Sequence, residues 1–563
     1  MDNMDYDLRS IQEARDLLRK GQVATEILAT YNEEQIDRIL KAMAQAAEEN
    51  AVVLAQMAHE ETGFGTIADK AYKNHMASTI EYEAIKDMKT IGIIGEDIQK
   101  KTIDVADPVG LIMGISPSTN PTSTAIFKSM CAIKGRNAIL FSPHPSAAKC
   151  TIKTINILAD AAVKAGAPEN CIATLTMPSI QASNELMHSK EVKLIVATGG
   201  PGMVKAAYSA GKPAMGVGAG NSPAYIERTA DVKKAVSDII ASKTFDYGTI
   251  CASEQSVICE ECNKDAVIAE FKAQGGYFMT EDETKTVCSK LFKPGTTSMS
   301  AKFVGRSPQY IAEKCGISIP EGTKVLIGAQ GGVGPEYPLS YEKLTTVLAF
   351  YVVKDWHEAC ELSISLLQHG IGHTMNIHTN DRNIVREFSR KPASRILVNT
   401  GGSMGGTGGS TGLFPSFTLG CGTYGGSSIS ENLSPMNLIN IKKVAYGIKE
   451  PTTMVQDDPT FNHPELASIP GAYGNHPPVG AAAAPAYAGA AQIPVQGVTA
   501  GGGACTSGNC PDAFANGTAS PIGYSAGCNC CTPNTGNPVG DGEIDQKQLQ
   551  NIIDSLAAAL RGE

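Results

Sequence analysis

The sequence predicts an α/β protein built on a largely parallel sheet, and two observations carry that reading. Short apolar runs bounded by Gly and Pro recur at residues 109–115, 138–141, 193–197 and 395–399. Stretches of helical periodicity lie between them, as at residues 146–165 and 231–242. A strand that is apolar along its whole length needs cover on both faces, and intervening helices supply it.

Taken in order, residues 8–58 read as helix. Ile11, Ala14, Leu17 and Leu18 share one face, and Ile36, Ile39, Leu40 and Met43 share another. Alternation of strand and helix then continues to about residue 447. After Glu450 the composition changes: residues 451–540 are rich in Pro, Gly, Ala and Asn, with runs such as GAAAAPAYAGAAQIPVQG. Such a stretch buries too little apolar side chain to offset its ordering entropy, which predicts a flexible linker. Helical spacing returns in residues 541–563, where Leu549, Ile552, Ile553, Leu556 and Leu560 form one stripe. Asp541 suits the cap, Asp545 the first turn, and Arg561 with Gly562 the end. A lone amphipathic helix on a tether hides its stripe by docking, on the rest of its own chain, in an oligomer or on a partner. Its polar face is acidic and mixed, which disfavours a membrane surface.

With 563 residues the chain is long enough for two or three domains. A net charge of -10 argues against general nucleic-acid binding. No apolar run approaches the ~20 residues that cross a bilayer. The start, MDNMDYDLRS, has no basic-then-apolar signal pattern, so a cytoplasmic protein is expected. Most of the 15 cysteines stand singly in apolar surroundings (Cys131, Cys150, Cys259), as reduced thiols do. Cys505, Cys510, Cys528, Cys530 and Cys531 cluster in the linker without zinc-ribbon spacing and read as incidental thiols.

The strongest local signal is FDYGTICASEQSVIC at residues 245–259. Cys251 follows a Gly-containing turn and precedes a run, residues 253–259, that alternates like a strand. Substrate can reach a thiol at such a junction, and a neighbouring backbone N–H can stabilise an oxyanion formed on it. On this pattern alone, plain packing is the more common reading of such a cysteine.

The segment resembles the nucleophile segment of CoA-acylating aldehyde dehydrogenases, in particular the aldehyde half of bifunctional aldehyde–alcohol dehydrogenases. Further matches follow in family order: PSTNPTSTAIFKSM at 117–130, GRNAILFSPHPSA at 135–147 and GVGAGNSPAYIE at 216–227. YEKLTTVLAFYVVKDWHEA at 341–359, HGIGHTMNIHT at 369–379, RILVNT at 395–400 and LGCGTYGGSSISENLSPMNLIN at 419–440 complete the set. The likeness covers residues 10–447.

It implies the aldehyde dehydrogenase fold: a Rossmann-like NAD domain (1–245), a catalytic domain (246–423) and a small oligomerisation element (about 100–107 with 424–450). The resemblance implies Cys251 as nucleophile, attacking a short aldehyde such as acetaldehyde or propionaldehyde. Hydride then passes to NAD, and the acyl group to coenzyme A, reversibly. Oxyanion stabilisation falls to Thr119 or Asn120, and His373 in GIGHT matches a family histidine near acyl transfer, as base, CoA contact or structural residue. Ser142, Pro143, His144, Gly199, Gly200, Gly202, Gly218 and Glu342 fall at cofactor-binding positions. TGGPGMVKAA at 198–207 follows a strand and opens a helix, although it lacks the third glycine of the usual dinucleotide fingerprint. The glutamate that activates water in hydrolytic relatives aligns with Val217, which favours CoA as acceptor over water. Metal binding at His369, His373 and His378 is not expected, since Gly370 and Gly372 interrupt any helix that would align them.

A hydrolytic enzyme and an inactive scaffold remain the competing readings. A homodimer or homotetramer is expected. The tethered helix resembles those of enzymes packed inside bacterial microcompartments, implying docking on shell or cargo proteins and a place in the lumen.

Overall fold

The computed structural model describes residues 5–450, 454, 458–461 and 463–468. Contacts divide the chain into residues 1–450 and 451–563. In the second unit the described structure is one 3-10 stretch, Pro464–Ser468. Apart from those few positions the expected linker, the tail cysteines and the docking helix at 541–563 lie outside the described residues.

The N-terminal helical reading resolves into helices Tyr6–Leu28, Glu33–Glu49 and Ala51–Thr62. Asn32 starts the second: its side chain accepts from the Gln35 N–H at 3.0 Å while Gln35 reaches back to the Asn32 N–H. Ile36, Ile39, Leu40 and Met43 are fully buried, as their shared face requires.

Strands β1 (Gly92–Asp97) and β2 (Thr102–Pro108) pair antiparallel. Strands β3 (Leu111–Ile115), β4 (Ile139–Ser142), β5 (Ile172–Thr174), β6 (Val192–Thr198) and β7 (Ala214–Val217) form a parallel sheet in the order β5-β4-β3-β6-β7. A second parallel sheet follows, of β8 (Ser222–Ile226), β9 (Glu254–Glu260), β10 (Gly276–Phe278), β11 (Val325–Ala329), β12 (Val347–Val353), β13 (Gly372–His378) and β14 (Ala393–Val398). Its order is β10-β11-β12-β9-β8-β13-β14. Finally β15 (Ile439–Ala445) returns to β2, with Ile439 opposite Pro108 and Ala445 opposite Thr102.

The four apolar runs of the sequence are β3, β4, β6 and β14. Strand β9 differs from its expected alternation, because every position from Glu254 to Glu260 is buried. It lies between β8 and β12, with helices Val232–Thr244 and Trp356–Leu367 packed on it. Its charged and amide residues make internal hydrogen bonds instead of facing water: Glu254 accepts from the Gly402 N–H at 2.6 Å and from Asn376 at 3.0 Å, and Gln255 from the Lys343 N–H at 2.8 Å. Strand β8 already belongs to the seven-stranded sheet, so the chain passes between sheets at residues 218–221, ahead of the expected boundary at 245/246.

Two details fix the ground beneath the site. The ammonium of Lys128, on the wholly buried helix Pro121–Lys134, donates to the carbonyls of Ile115 (2.6 Å) and Val196 (2.9 Å). It thereby ties the carboxyl ends of β3 and β6 together. Gly372 opens β13 at φ +83°, where a Cβ would overlap the Cys421 carbonyl oxygen and lie 2.7 Å from the Gly425 nitrogen. Among the described residues no helix is long and apolar enough to cross a membrane. Gly372→Ala therefore combines a disfavoured backbone with a collision against main chain, and should destabilise the fold by about 3 kcal/mol or more. Denaturant unfolding checks this; a midpoint equal to wild type would mean that β13 can shift to make room.

Candidate active site

The order of the five-stranded sheet reverses between β3 and β6, so a crevice opens outside their carboxyl ends. The turns after β3, β4, β6 and β7 line it, and opposite them stand segments leading into strands of the second sheet. Residues 249–251 precede β9, while Glu342 and Leu344 precede β12. Together they enclose a cavity of 640 Å³. Thr119, Asn120, Ser142, Pro143, His144, Gly199, Gly200, Gly202, Gly218, Cys251 and Glu342 all line it. His373 does not; it is buried behind the wall, with Nε2 3.1 Å from Cys251 Sγ and Nδ1 2.8 Å from Thr374 Oγ1.

The glycines suit a dinucleotide for a spatial reason. A Cβ on Gly200, Gly202 or Gly218 would meet no atom within 4 Å, and none of the three has positive φ. They relieve no strain in the chain itself. What they provide is an open cradle beside the start of helix Pro201–Tyr208, where a pyrophosphate could approach backbone N–H groups. At the end of β4, Ser142 hydrogen-bonds Ser183 (2.7 Å) and His144 accepts from the Ser146 N–H (3.2 Å).

Among the described residues Glu342 is the sole carboxylate lining the cavity. It accepts from the Gly220 N–H at 2.9 Å, and burial raises its carboxyl to about 7 although Lys243 and Lys343 pull the other way. Val217 is buried and does not line the cavity.

The thiol is placed by an unusual turn. Asp246, Tyr247 and Gly248 are all left-handed, at φ 48°, 50° and 73°. Gly220 must be glycine, since a Cβ there would overlap the Cys251 carbonyl oxygen. The turn is held by the fully buried Asp246 carboxylate. It accepts from Lys70 (3.0 Å), Lys73 (2.5 Å), the Thr249 hydroxyl (2.7 Å) and the Thr66 N–H (2.8 Å). Lys73 also donates to Asn120 Oδ1 at 2.7 Å, and Asn120 Nδ2 donates to the Thr249 carbonyl and to Thr119 Oγ1, each at 3.2 Å. Burial lowers Lys73 to about 8, against the attraction of Asp246.

Residues 6–290 match the model of the aldehyde dehydrogenase family. The chain belongs to that family. It is 48% identical over 443 residues to the bifunctional aldehyde-alcohol dehydrogenase AdhE of Escherichia coli, covering 77% of this chain and 50% of that protein. This chain thus spans about half the length of that curated relative. The crystal structure of an acetylating aldehyde dehydrogenase from Geobacillus thermoglucosidasius is 51% identical, with TM-score 0.78, covering 79% of this chain and 99% of that one. A propionaldehyde dehydrogenase from the fucose utilisation bacterial microcompartment of Clostridium phytofermentans is 25% identical, with TM-score 0.70, over 77% and 97% of the two chains.

Several residues of the site escaped the sequence reading. Lys70 and Lys73 sit one turn apart on helix Ile67–His75, and nothing in an amphipathic pattern marks a lysine as buried. Asp246 lay inside the quoted motif, and the Asp-Tyr-Gly run before the thiol was the available hint of a left-handed turn. Arg395 is 3% exposed, and no carboxylate pairs with it among the described residues. Its guanidinium donates to Thr374 Oγ1 (3.4 Å), the Ser430 carbonyl (3.3 Å), Asn432 (3.2 Å) and the Gly420 carbonyl.

This buried cation stands one threonine away from His373. Burial holds His373 well below its usual range, and Arg395 pushes the same way, so the imidazole is neutral at physiological pH. Burial pushes the Cys251 thiol up to about 12, with Glu342 and Cys421 adding to the rise and Arg395 opposing it. Removing the cation leaves the thiolate with less support. In Arg395→Met the pH profile for alkylation of Cys251 by iodoacetamide should therefore move to higher pH, with a several-fold slower rate at neutrality. Arg395→Lys should move it less, and an unchanged profile in the methionine variant would show that the charge does not reach the sulfur.

Proposed function

We propose that this chain oxidises a short aldehyde with NAD and transfers the acyl group to coenzyme A, reversibly, through a thioester on Cys251. The observation that carries this reading is the Cys251–His373 pair, 3.1 Å apart, at a cavity whose single lining carboxylate is engaged with a backbone N–H. As the aldehyde carbon is attacked, the thiol proton passes to the neutral imidazole and a carbon–sulfur bond forms, leaving an oxyanion. NAD, when held by the glycine cradle with Ser142, Pro143, His144 and Glu342, supplies the acceptor for the hydride that leaves this carbon. Cys251 then carries a thioester. Among the described residues no other carboxylate lines the cavity to activate water, so the thioester waits for a stronger nucleophile. A CoA thiol, acidic enough to ionise near neutral pH, attacks the carbonyl and expels the Cys251 thiolate. The sum is aldehyde, NAD and CoA going to acyl-CoA, NADH and a proton. The acetylating relative, similar over nearly its whole chain, supports CoA as acceptor.

The substrate is acetaldehyde or propionaldehyde, and the assembly a homodimer or homotetramer built on the β1-β2-β15 sheet. Ile93, Ile441 and Val444 lie exposed on that sheet, which supports its use as an interface. Localisation in a microcompartment lumen, with residues 541–563 docking on shell or cargo, rests on the apolar stripe of those residues. The likeness to a propionaldehyde dehydrogenase from such a compartment adds to it.

The test is NADH formation from acetaldehyde and propionaldehyde with and without CoA, with products identified by mass. Steady turnover only with CoA and accumulation of acyl-CoA are expected, and Cys251→Ala should remove both. Steady turnover to free acid without CoA would replace this reading with the hydrolytic one.

A further inference from the structure

Hydrogen-bond bookkeeping around Asn120 separates the two candidate oxyanion donors. Asn120 occupies the N-cap of helix Pro121–Lys134, where an asparagine side chain ordinarily accepts a hydrogen bond from the first turn. Here it makes no such bond. Its oxygen faces Lys73 Nζ at 2.7 Å, and because an ammonium only donates, that contact fixes which end of the amide is oxygen. The nitrogen is left facing the Thr249 carbonyl and Thr119 Oγ1, both at 3.2 Å. An amide nitrogen has two hydrogens, and these two acceptors take both.

Thr119 is in the opposite position. Its oxygen already accepts from Asn120, and its one hydrogen has no acceptor among the described residues. Thr119 lines the same cavity as Cys251, and the loop it belongs to is tied through Asn120 to Thr249, two residues before the thiol. The Cys251 backbone N–H is likewise bonded to no carbonyl or other side chain among the described residues.

We propose that the Thr119 hydroxyl, and not the Asn120 amide, is the side-chain donor to the oxyanion formed when Cys251 adds to the aldehyde. This rests on the thiohemiacetal chemistry proposed above. Asn120 and Lys73 are positioning residues. The links run in one direction, from Lys73 ammonium to Asn120 oxygen and from Asn120 nitrogen to Thr119 oxygen. Each donation polarises the next group, so the terminal hydroxyl is a stronger donor than an isolated threonine. The Cys251 N–H, which bonds its own sulfur, completes the pair of donors, and neither has to give up a bond to another residue when charge develops.

The experiment compares Thr119→Val, which keeps the shape and removes the hydroxyl, with Thr119→Ser, which keeps the hydroxyl. The full chain is used, and the readout is the single-turnover burst of NADH from acetaldehyde without CoA, which reports thiohemiacetal formation and hydride loss alone. Alkylation of Cys251 by iodoacetamide forms no oxyanion and serves as the structural control. Thr119→Val should slow the burst by about 10²–10³-fold, with alkylation within about twofold of wild type, and Thr119→Ser should recover most of the rate. A burst in Thr119→Val within about threefold of wild type overturns the proposal. So does equal loss of burst and alkylation in both variants, which would mark Thr119 as structural. If Asn120 is the donor instead, Asn120→Ala slows the burst with alkylation unchanged while Thr119→Val does not. A wild-type protein with no burst at all removes the thioester reading itself, whereas a normal wild-type burst that Thr119→Val shares removes only the assignment of Thr119.

Discussion

The site depends on one buried carboxylate. Asp246 joins three stretches of chain that are remote in sequence: helix Ile67–His75 through Lys70 and Lys73, the turn after β3 through Lys73 and Asn120, and the thiol turn through Thr249. Two ammonium groups share one anion, and all three side chains are almost fully buried. Removing the anion would leave two cations in a low dielectric without a partner, a far larger penalty than the net worth of either pair. Burial alone would raise the Asp246 carboxyl, but Lys73 and Lys70 hold it below the usual carboxylate range. The left-handed backbone at residues 246–248 persists because this network over-determines it.

From that anchor the division of labour follows the direction of the strands. The five-stranded sheet presents carboxyl ends to the cavity, and with them the glycine turns and the loop holding Thr119 and Asn120. The seven-stranded sheet presents strand beginnings, and with them Cys251, Glu342 and, behind the wall, His373. The thiol and the glycine cradle therefore sit on separate layers. Lys128 holds the carboxyl ends of β3 and β6 together within the first layer, and Gly220 lets the crossing segment lie against the Cys251 carbonyl.

The parallel α/β core was legible in the sequence because apolar runs such as those of β3, β6 and β14 need burial on both faces. β1, β2 and β15 were not, since their strands carry polar residues and lie largely in the open. The thiol, the Thr119–Asn120 loop and the glycine turns were legible through motif order, and the cavity gathers them. Lys73, Asp246 and Arg395 were invisible for a common reason. Each is a charged residue in a place where composition expects solvent, and only three-dimensional pairing reveals it as buried. The alternation read into residues 253–259 misled for the related reason that buried glutamate and glutamine can be hydrogen-bonded inside a sheet.

The return of β15 to β2 has a consequence for synthesis of the chain. The strand at Ile439–Ala445 closes a sheet begun at Gly92, so the pairing spans most of the first unit. Loop closure on that scale cannot precede translation of the far end, and contacts of such separation form late. Leu438 and Asn137 extend the same linkage into the first parallel sheet, through a 2.8 Å bond from the Asn137 amide. While the ribosome is still adding residues beyond β14, then, both parallel sheets have all their strands and only the β1-β2-β15 sheet is incomplete. A nascent chain therefore carries Cys251 well before the cavity-lining residues Thr407, Phe417 and Leu419, and before this final closure.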